Sequence, residues 1–286
     1  MTLAEWIQQG RSRLASHPLQ CADPLLHMKQ ITAAALGWDM ATLYLKWNDE
    51  VTPEQTQRVT SLLTRRLTGE PFQYIVGEES FWNSSFKVGP GVLIPRRETE
   101  HLIEAALKHV HQPEARIAEL GAGTGNIGIS LLQERPQWEW HAFEIHAEAL
   151  PYVRANRAQL LSERANYTLH EQDFFEGVTS LGPLDAIICN PPYVKAGDIP
   201  ALSLEVRHEP LRALDGGVEG LDILRRLVDV AESTLVEGGY LIVEIGSDQG
   251  ESSPKLLSPD QWRDIAVLPD YSGLPRLLRA RLKGDR

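Results

Sequence analysis

Asn190-Pro191-Pro192-Tyr193 is the stretch whose residue types speak most directly of chemistry. It follows an apolar run, Asp185 to Cys189, that reads as a strand. Two consecutive prolines remove two backbone donors and fix φ at both positions, and Pro191 pushes Asn190 toward an extended conformation. The loop is therefore stiff, and its carbonyls have few internal donors to satisfy them. The Asn190 side-chain oxygen and the Pro191 carbonyl can each accept one N–H of a planar NH2 group. Such a nitrogen has a delocalised lone pair and is a poor nucleophile. Two fixed acceptors position it and favour positive charge on it as it attacks a methyl donor, and in-line orientation adds to this. Tyr193 can lie against the flat target group. No metal or covalent nucleophile is required. The plainer alternative is a Pro-Pro turn that merely ends a buried strand.

Upstream, Ile117 to Leu120 leads into Gly121-Ala122-Gly123-Thr124-Gly125, and a helical pattern opens at Asn126. Glycines permit positive φ and close backbone approach to a ligand. A loop at the carboxyl end of the first strand is where open α/β sheets bind ligands, and the following helix N-terminus favours an anion. Glu119 stands two residues before the first glycine, where it could hold the loop or meet an ammonium. Glu144, at the end of the next strand, can accept hydrogen bonds from both hydroxyls of a ribose. That much is shared by dinucleotide and S-adenosyl-L-methionine sites. The G-x-G-x-G spacing and the preceding acid point to adenosylmethionine, whose carboxylate the helix N-terminus would take. A glycine turn that only packs strand on helix stays open, as does a dinucleotide.

Asp173-Phe174 follows the third strand, where an acid and an aromatic could flank an adenine ring. Cys189 lies in an apolar run with no base near it and reads as a core residue. His101, His109 and His111 lack a metal-ligand spacing and read as surface residues.

These residues need a scaffold. Strand candidates Arg116–Leu120, Trp138–Glu144, Tyr167–Glu171, Asp185–Asn190 and Tyr240–Ile245 alternate with helical stretches Thr99–His109, Ile127–Glu134, Ala147–Leu161 and Leu221–Leu235. Such alternation predicts an α/β fold with a mainly parallel sheet and helices on both faces. Residues 1–70 predict a small helical domain. Leu3, Trp6, Ile7 and Leu14 share a helical face. Ala22 to Leu36 is a second helix with Asp23 as N-cap, Pro24 at its first position and Gly37 as its stop. Thr52-Pro53-Glu54-Gln55 opens another, with Val59, Leu62, Leu63 and Leu67 as its apolar side and Gly69 as its stop. Residues 71–94 interleave aromatics and valines with glycines and predict a β-hairpin linker. Residues 95–286 form the second domain.

The whole chain has 286 residues, 42% hydrophobic and 23% charged, ordinary for a globular protein. No apolar run approaches the roughly 20 residues that span a bilayer, the N-terminus does not read as a secretory signal, and Cys21 and Cys189 are isolated. A reducing cytoplasm is expected. The net charge of −11 disfavours bulk nucleic-acid binding, which leaves a basic stripe.

Five segments together resemble the peptide chain release factor glutamine methyltransferases. They are Glu70-Pro71-Phe72-Gln73-Tyr74-Ile75, Leu93 to Glu100 (LIPRRETE), Glu119 to Gly125, Asn190 to Tyr193, and Glu209-Pro210 with Asp215-Gly216-Gly217. The resemblance covers nearly the whole chain. It implies a helical N-terminal domain and a class I, Rossmann-like methyltransferase domain; by its position and composition, with no loop suited to a nucleotide, the helical domain is expected to recognise the protein substrate. The implied reaction is methylation of the glutamine in the Gly-Gly-Gln loop of release factors. It further implies that Gly121 to Gly125, Glu144, Phe174 and Asn190 contact S-adenosyl-L-methionine, and that Asn190 to Tyr193 receive the glutamine. The family usually has Pro at Arg97, Asp at Glu119 and Glu144, and often an aromatic at His208. Glutamate keeps the charge with one more methylene. A ribosomal-protein glutamine methyltransferase shares Asn-Pro-Pro-Tyr, but Arg97 to Glu100 favours the release-factor group. An adenine amino-methyltransferase would use a similar segment on a flipped base. A non-enzymatic binder would leave Asn190 to Tyr193 unexplained.

Overall fold

The computed structural model describes residues 1–17, 21 and 23–284. Packing divides it into two units, 1–78 with 202–208, and 79–201 with 209–286.

The first unit is helical: α1 (Leu3–Ala15), α2 (Pro24–Leu36), α3 (Met40–Leu45), α4 (Pro53–Leu67) and α5 (Phe72–Val76). The starts follow local chemistry. Thr2 with Glu5, and Thr52 with Gln55, form reciprocal capping boxes, and Asp23 caps α2 through Leu26 N at 2.9 Å. Gly37, at φ +66°, ends α2. Ala22 lies outside the described residues. Leu3, Trp6, Ile7 and Leu14 are buried with Met28, Ile31, Val59 and Leu63, so the expected faces meet in one core. α3, capped by Asp39, was not anticipated.

The expected linker departs from its sequence reading. Phe72 to Val76 is helix α5, closed by Gly77 at φ +86°. Tyr74 and Ile75 are both buried although adjacent. A strand facing one core would turn them to opposite sides, whereas a helical turn placed after Pro71 buries both. The hairpin is confined to β1 (Glu78–Phe81) and β2 (Ser84–Lys87), with Trp82 at φ +53° in its turn.

The second unit continues with α6 (Glu100–His109), β3 (Arg116–Leu120), α7 (Asn126–Glu134), β4 (Glu139–Phe143), α8 (Leu150–Leu160) and β5 (Tyr167–His170). Then come α9 (Phe174–Gly177), β6 (Leu184–Cys189), α10 (Asp222–Thr234), β7 (Leu235–Glu244), β8 (Trp262–Pro269) and β9 (Pro275–Leu282). The seven-stranded sheet has the order β5-β4-β3-β6-β7-β9-β8. β3 pairs in parallel with both β4 and β6, and β9 is antiparallel to β7 and β8. This closing hairpin escaped the sequence reading, because arginines at 276, 279 and 281 break up the apolar run of β9. Separate apolar clusters cover the two faces of the sheet. The chain leaves β3 toward β4 and later returns beside it as β6, so strand order reverses between β3 and β6. A crevice opens at such a switch point. No helix among the described residues is long and apolar enough to cross a membrane.

Candidate active site

The glycine loop follows β3. Gly121, Gly123 and Gly125 have φ of +69°, +55° and +80°, conformations that cost L side chains energy. The loop is tied to its neighbours by Ala122 N donating to Phe143 O at 2.9 Å and Gly125 N to Ala122 O at 2.7 Å. Asn156, fully buried, donates to Thr124 O at 2.9 Å and accepts from Lys87 N at 2.7 Å. A Cβ on Gly121 or Gly123 would meet no atom within 4 Å, whereas one on Gly125 would run into Ile129 and Val153. Gly121 and Gly123 thus face open space, and Gly125 serves packing. Ala122 and Thr124 are buried and Thr124 Oγ1 donates to Asn126 Oδ1 at 2.9 Å.

The acids differ in their work. Glu144 directly follows β4 and is buried, with Oε2 accepting from Gly123 N and Oε1 from His146 N, each at 2.9 Å. Each oxygen keeps a lone pair for a further donor. Glu119 lies beneath the loop at 1% exposure. Its Oε2 accepts from Trp140 Nε1 at 2.8 Å, and Oε1 has no partner among the described residues. Burial, with the Glu144 charge adding to it, pushes the Glu119 carboxyl up to about 8. Asp173 caps α9, its Oδ1 accepting from Phe175 N at 2.7 Å and Glu176 N at 3.3 Å. Phe174 is buried edge-on to Phe143, centroids 5.2 Å apart.

A cavity of about 230 Å³ lies over this strand edge, bounded by Gly121, Phe143, Glu144, Asp173, Phe174, Asn190, Pro191 and Pro192, with Arg212 and Arg226 at its wall. A smaller one, about 40 Å³, lies beyond the glycines against Arg96, Thr99, Glu119, Ala122, Thr124 and Asn126. Both are lined by Leu93, Gly121, Gly123 and Asn190, so the two adjoin in one cleft across these residues.

Asn190 leaves the end of β6, and its Nδ2 donates to Thr99 Oγ1 at 3.2 Å. Tyr193 is absent from the groups bounding either cavity. Its hydroxyl donates to Glu244 Oε1 at 3.1 Å. Glu244, at the end of β7 and 1% exposed, has its carboxyl pushed up to about 7 by burial, although the Thr99 and Tyr193 hydroxyls favour the ionised form. Its Oε2 accepts no close hydrogen bond among the described residues. The structure therefore brings together the glycine loop, Glu119, Glu144, Asp173, Phe174 and Asn190 to Pro192, and turns the Tyr193 hydroxyl elsewhere.

Sequence reasoning missed Thr99, Glu244 and Gln249. An acid closing the apolar strand run Leu241-Ile242-Val243 was the available signal for Glu244. Arg96 also gains a role, pairing with buried Glu209, which in turn accepts from Ile94 N at 3.0 Å. Cys189 is buried as expected. His101 is not the surface residue that the sequence suggested: it is 8% exposed because Tyr271 packs edge-on over its ring. Among the described residues, no cluster of three or more His, Cys, Asp or Glu could hold a metal ion.

Residues 5–77 match a family model described as the PrmC N-terminal domain, and residues 98–257 match the methyltransferase small domain. The chain is similar to the release factor glutamine methyltransferase of Moorella thermoacetica, with 36% identity over 282 residues and 98% of each chain covered. It is also similar to the enzymes of that name from Neisseria gonorrhoeae, 34% identical with 97% and 96% covered, and Cereibacter sphaeroides, 39% identical with 89% and 90% covered.

Proposed function

The chain belongs to the release factor glutamine methyltransferase family, and from that membership we propose that it moves a methyl group from S-adenosyl-L-methionine to the side-chain amide nitrogen of the glutamine in the Gly-Gly-Gln motif of peptide chain release factors. The observation that carries this reading is the shared position of Asn190. It lines both cavities beside the glycine loop.

The cleft fits the cofactor. Gly121 and Gly123 leave their backbone facing open space in which a ligand can approach closely. Glu144 keeps lone pairs for ribose hydroxyls, and Asp173 with Phe174 would flank the adenine. The buried, half-satisfied Glu119 carboxyl suits a nearby ammonium. When bound, the cofactor supplies an electrophilic methyl group on positively charged sulfur.

The residues of the chain supply position and electrostatics. Asn190 Oδ1 and the Pro191 carbonyl accept the two N–H groups of the glutamine amide, holding its plane and favouring the charge that builds on nitrogen. Because both acceptors stand on a loop stiffened by two prolines, they need little reorganisation. As the N–C bond forms, the methyl–sulfur bond would break with its electron pair left on sulfur, which loses its charge, and the nitrogen would release one proton to water. Residues 1–70 recognise the surrounding release factor, since the helical unit carries no loop suited to a nucleotide.

Single-turnover methylation of a release factor carrying Gln or Asn in its Gly-Gly-Gln loop tests the reading. Asn190→Ala should lose at least about a hundredfold in rate, the scale of one preorganised contact. Near-wild-type rates for Asn190→Ala, or equal rates on the Gln and Asn substrates, would reject it.

A further inference from the structure

The acceptor face of Asn190 depends on which way its amide is turned, and a flipped amide would offer the substrate a donor where an acceptor is needed. The structure shows what turns it. Nδ2 donates to Thr99 Oγ1 at 3.2 Å. Thr99 is 2% exposed, so water is kept from its hydroxyl. The hydroxyl accepts from Nδ2, which leaves Oδ1 turned away from it. Glu244 receives the Tyr193 hydroxyl at 3.1 Å. Both ends of the Asn-Pro-Pro-Tyr segment are therefore held by buried side chains, Asn190 by Thr99 and Tyr193 by Glu244.

The backbone of the segment is held as well. Gln249 Nε2 donates to Tyr193 O at 3.0 Å and to Gly220 O at 2.9 Å. Val194 N donates to Leu214 O, and Gly216 N to Val194 O, each at 2.8 Å. A Cβ on Gly216 would come within 2.8 Å of Pro192 O, and one on Gly220 within 2.3 Å of Tyr193 O. Gly216 and Gly220 thus let a second stretch of backbone lie against the loop.

Resting on the function proposed above, we propose that Thr99 is a positioning residue for methyl transfer: it locks Asn190 with Oδ1 toward the substrate amide. It does not touch the reacting atoms. Its loss should therefore act on turnover more than on binding.

The test compares Thr99→Val, which removes the hydroxyl at similar volume, with Thr99→Ser, which keeps it. Thr99→Val should lower kcat on release factor by about tenfold or more, with KM and cofactor affinity within about twofold, as for an interaction that matters only in the transition state. Thr99→Ser should recover to within about threefold of wild type. A loss of packing alone would not be rescued by serine, the smaller residue. Wild-type kcat in Thr99→Val, a change confined to KM, or equal defects in the two variants would overturn the proposal. A second readout needs no substrate. In nuclear magnetic resonance spectra, solvent exchange of the Asn190 side-chain NH2 should be at least about tenfold faster in Thr99→Val than in wild type or Thr99→Ser. Unchanged exchange would also overturn it. Failure of wild-type enzyme to methylate release factor would instead remove the function reading and leave the exchange experiment to decide the lock.

Discussion

At the scale of single residues, two positions near the cleft carry measurable consequences. Gly123 adopts φ +55° and faces open space, so Gly123→Val meets no neighbour yet is strained by about 1–2 kcal/mol and fills the cleft. Titration calorimetry should show cofactor affinity lost, with the urea midpoint only modestly lowered. Glu119 ties protonation to stability. Its carboxyl is raised from 4.5 to about 8, so between those values the native state holds a proton that the unfolded chain has released. Its contribution to stability is therefore complete below the unfolded value and is lost as pH rises through about 8. Glu119→Gln can still accept from Trp140 but cannot ionise. Urea unfolding at pH 5, 7 and 8.5 should show a shallower fall in stability for this variant than for wild type, and parallel curves would refute the burial argument.

At the scale of elements, α7 lies on the sheet through Gly128. A Cβ there would meet Trp140 Nε1 at 2.2 Å, and the Trp140 ring is fully buried, with no flexible tip to swing aside. Gly128→Ala should cost about 1–3 kcal/mol by overpacking and disturb the Trp140 bond to Glu119, read as a lower denaturant midpoint. An unchanged midpoint would mean that the helix can shift at no cost. The strand–glycine–helix unit was legible in the sequence because each of its parts is local: an apolar run, glycines where φ is positive, and a helical period. α5 was not, because five residues do not hold enough of a period to separate a helical turn from a strand.

At the scale of the whole molecule, residues 202–208 fold with the helical unit although they follow Asn-Pro-Pro-Tyr in sequence. Within that unit Arg66, 1% exposed, pairs with Glu205, and Arg66 Nη1 donates to Glu70 O at 3.0 Å. Glu205 is partly open to water, which reduces what the pair contributes, but removing it strands a buried guanidinium. Glu205→Ala should therefore destabilise the unit by about 1–3 kcal/mol, more than Glu70→Ala, whose side chain pairs with the more exposed Arg65. Equal midpoints for the two variants in chemical denaturation would contradict this.

Sequence alone determined the chemistry and its carriers. Alternating periods dictated a parallel sheet, glycines dictated the loop, and two prolines dictated a stiff pair of acceptors, since each of these follows from the covalent properties of neighbouring residues. Tertiary structure decided what those carriers face. Thr99, Asn190 and Glu244 come from three distant segments and meet only because β6 and β7 pair in parallel register, with Cys189 opposite Val243, and because the start of α6 lies beside them. The raised carboxyls of Glu119 and Glu244 likewise depend on exclusion of water, a property of packing that no spacing along the chain expresses.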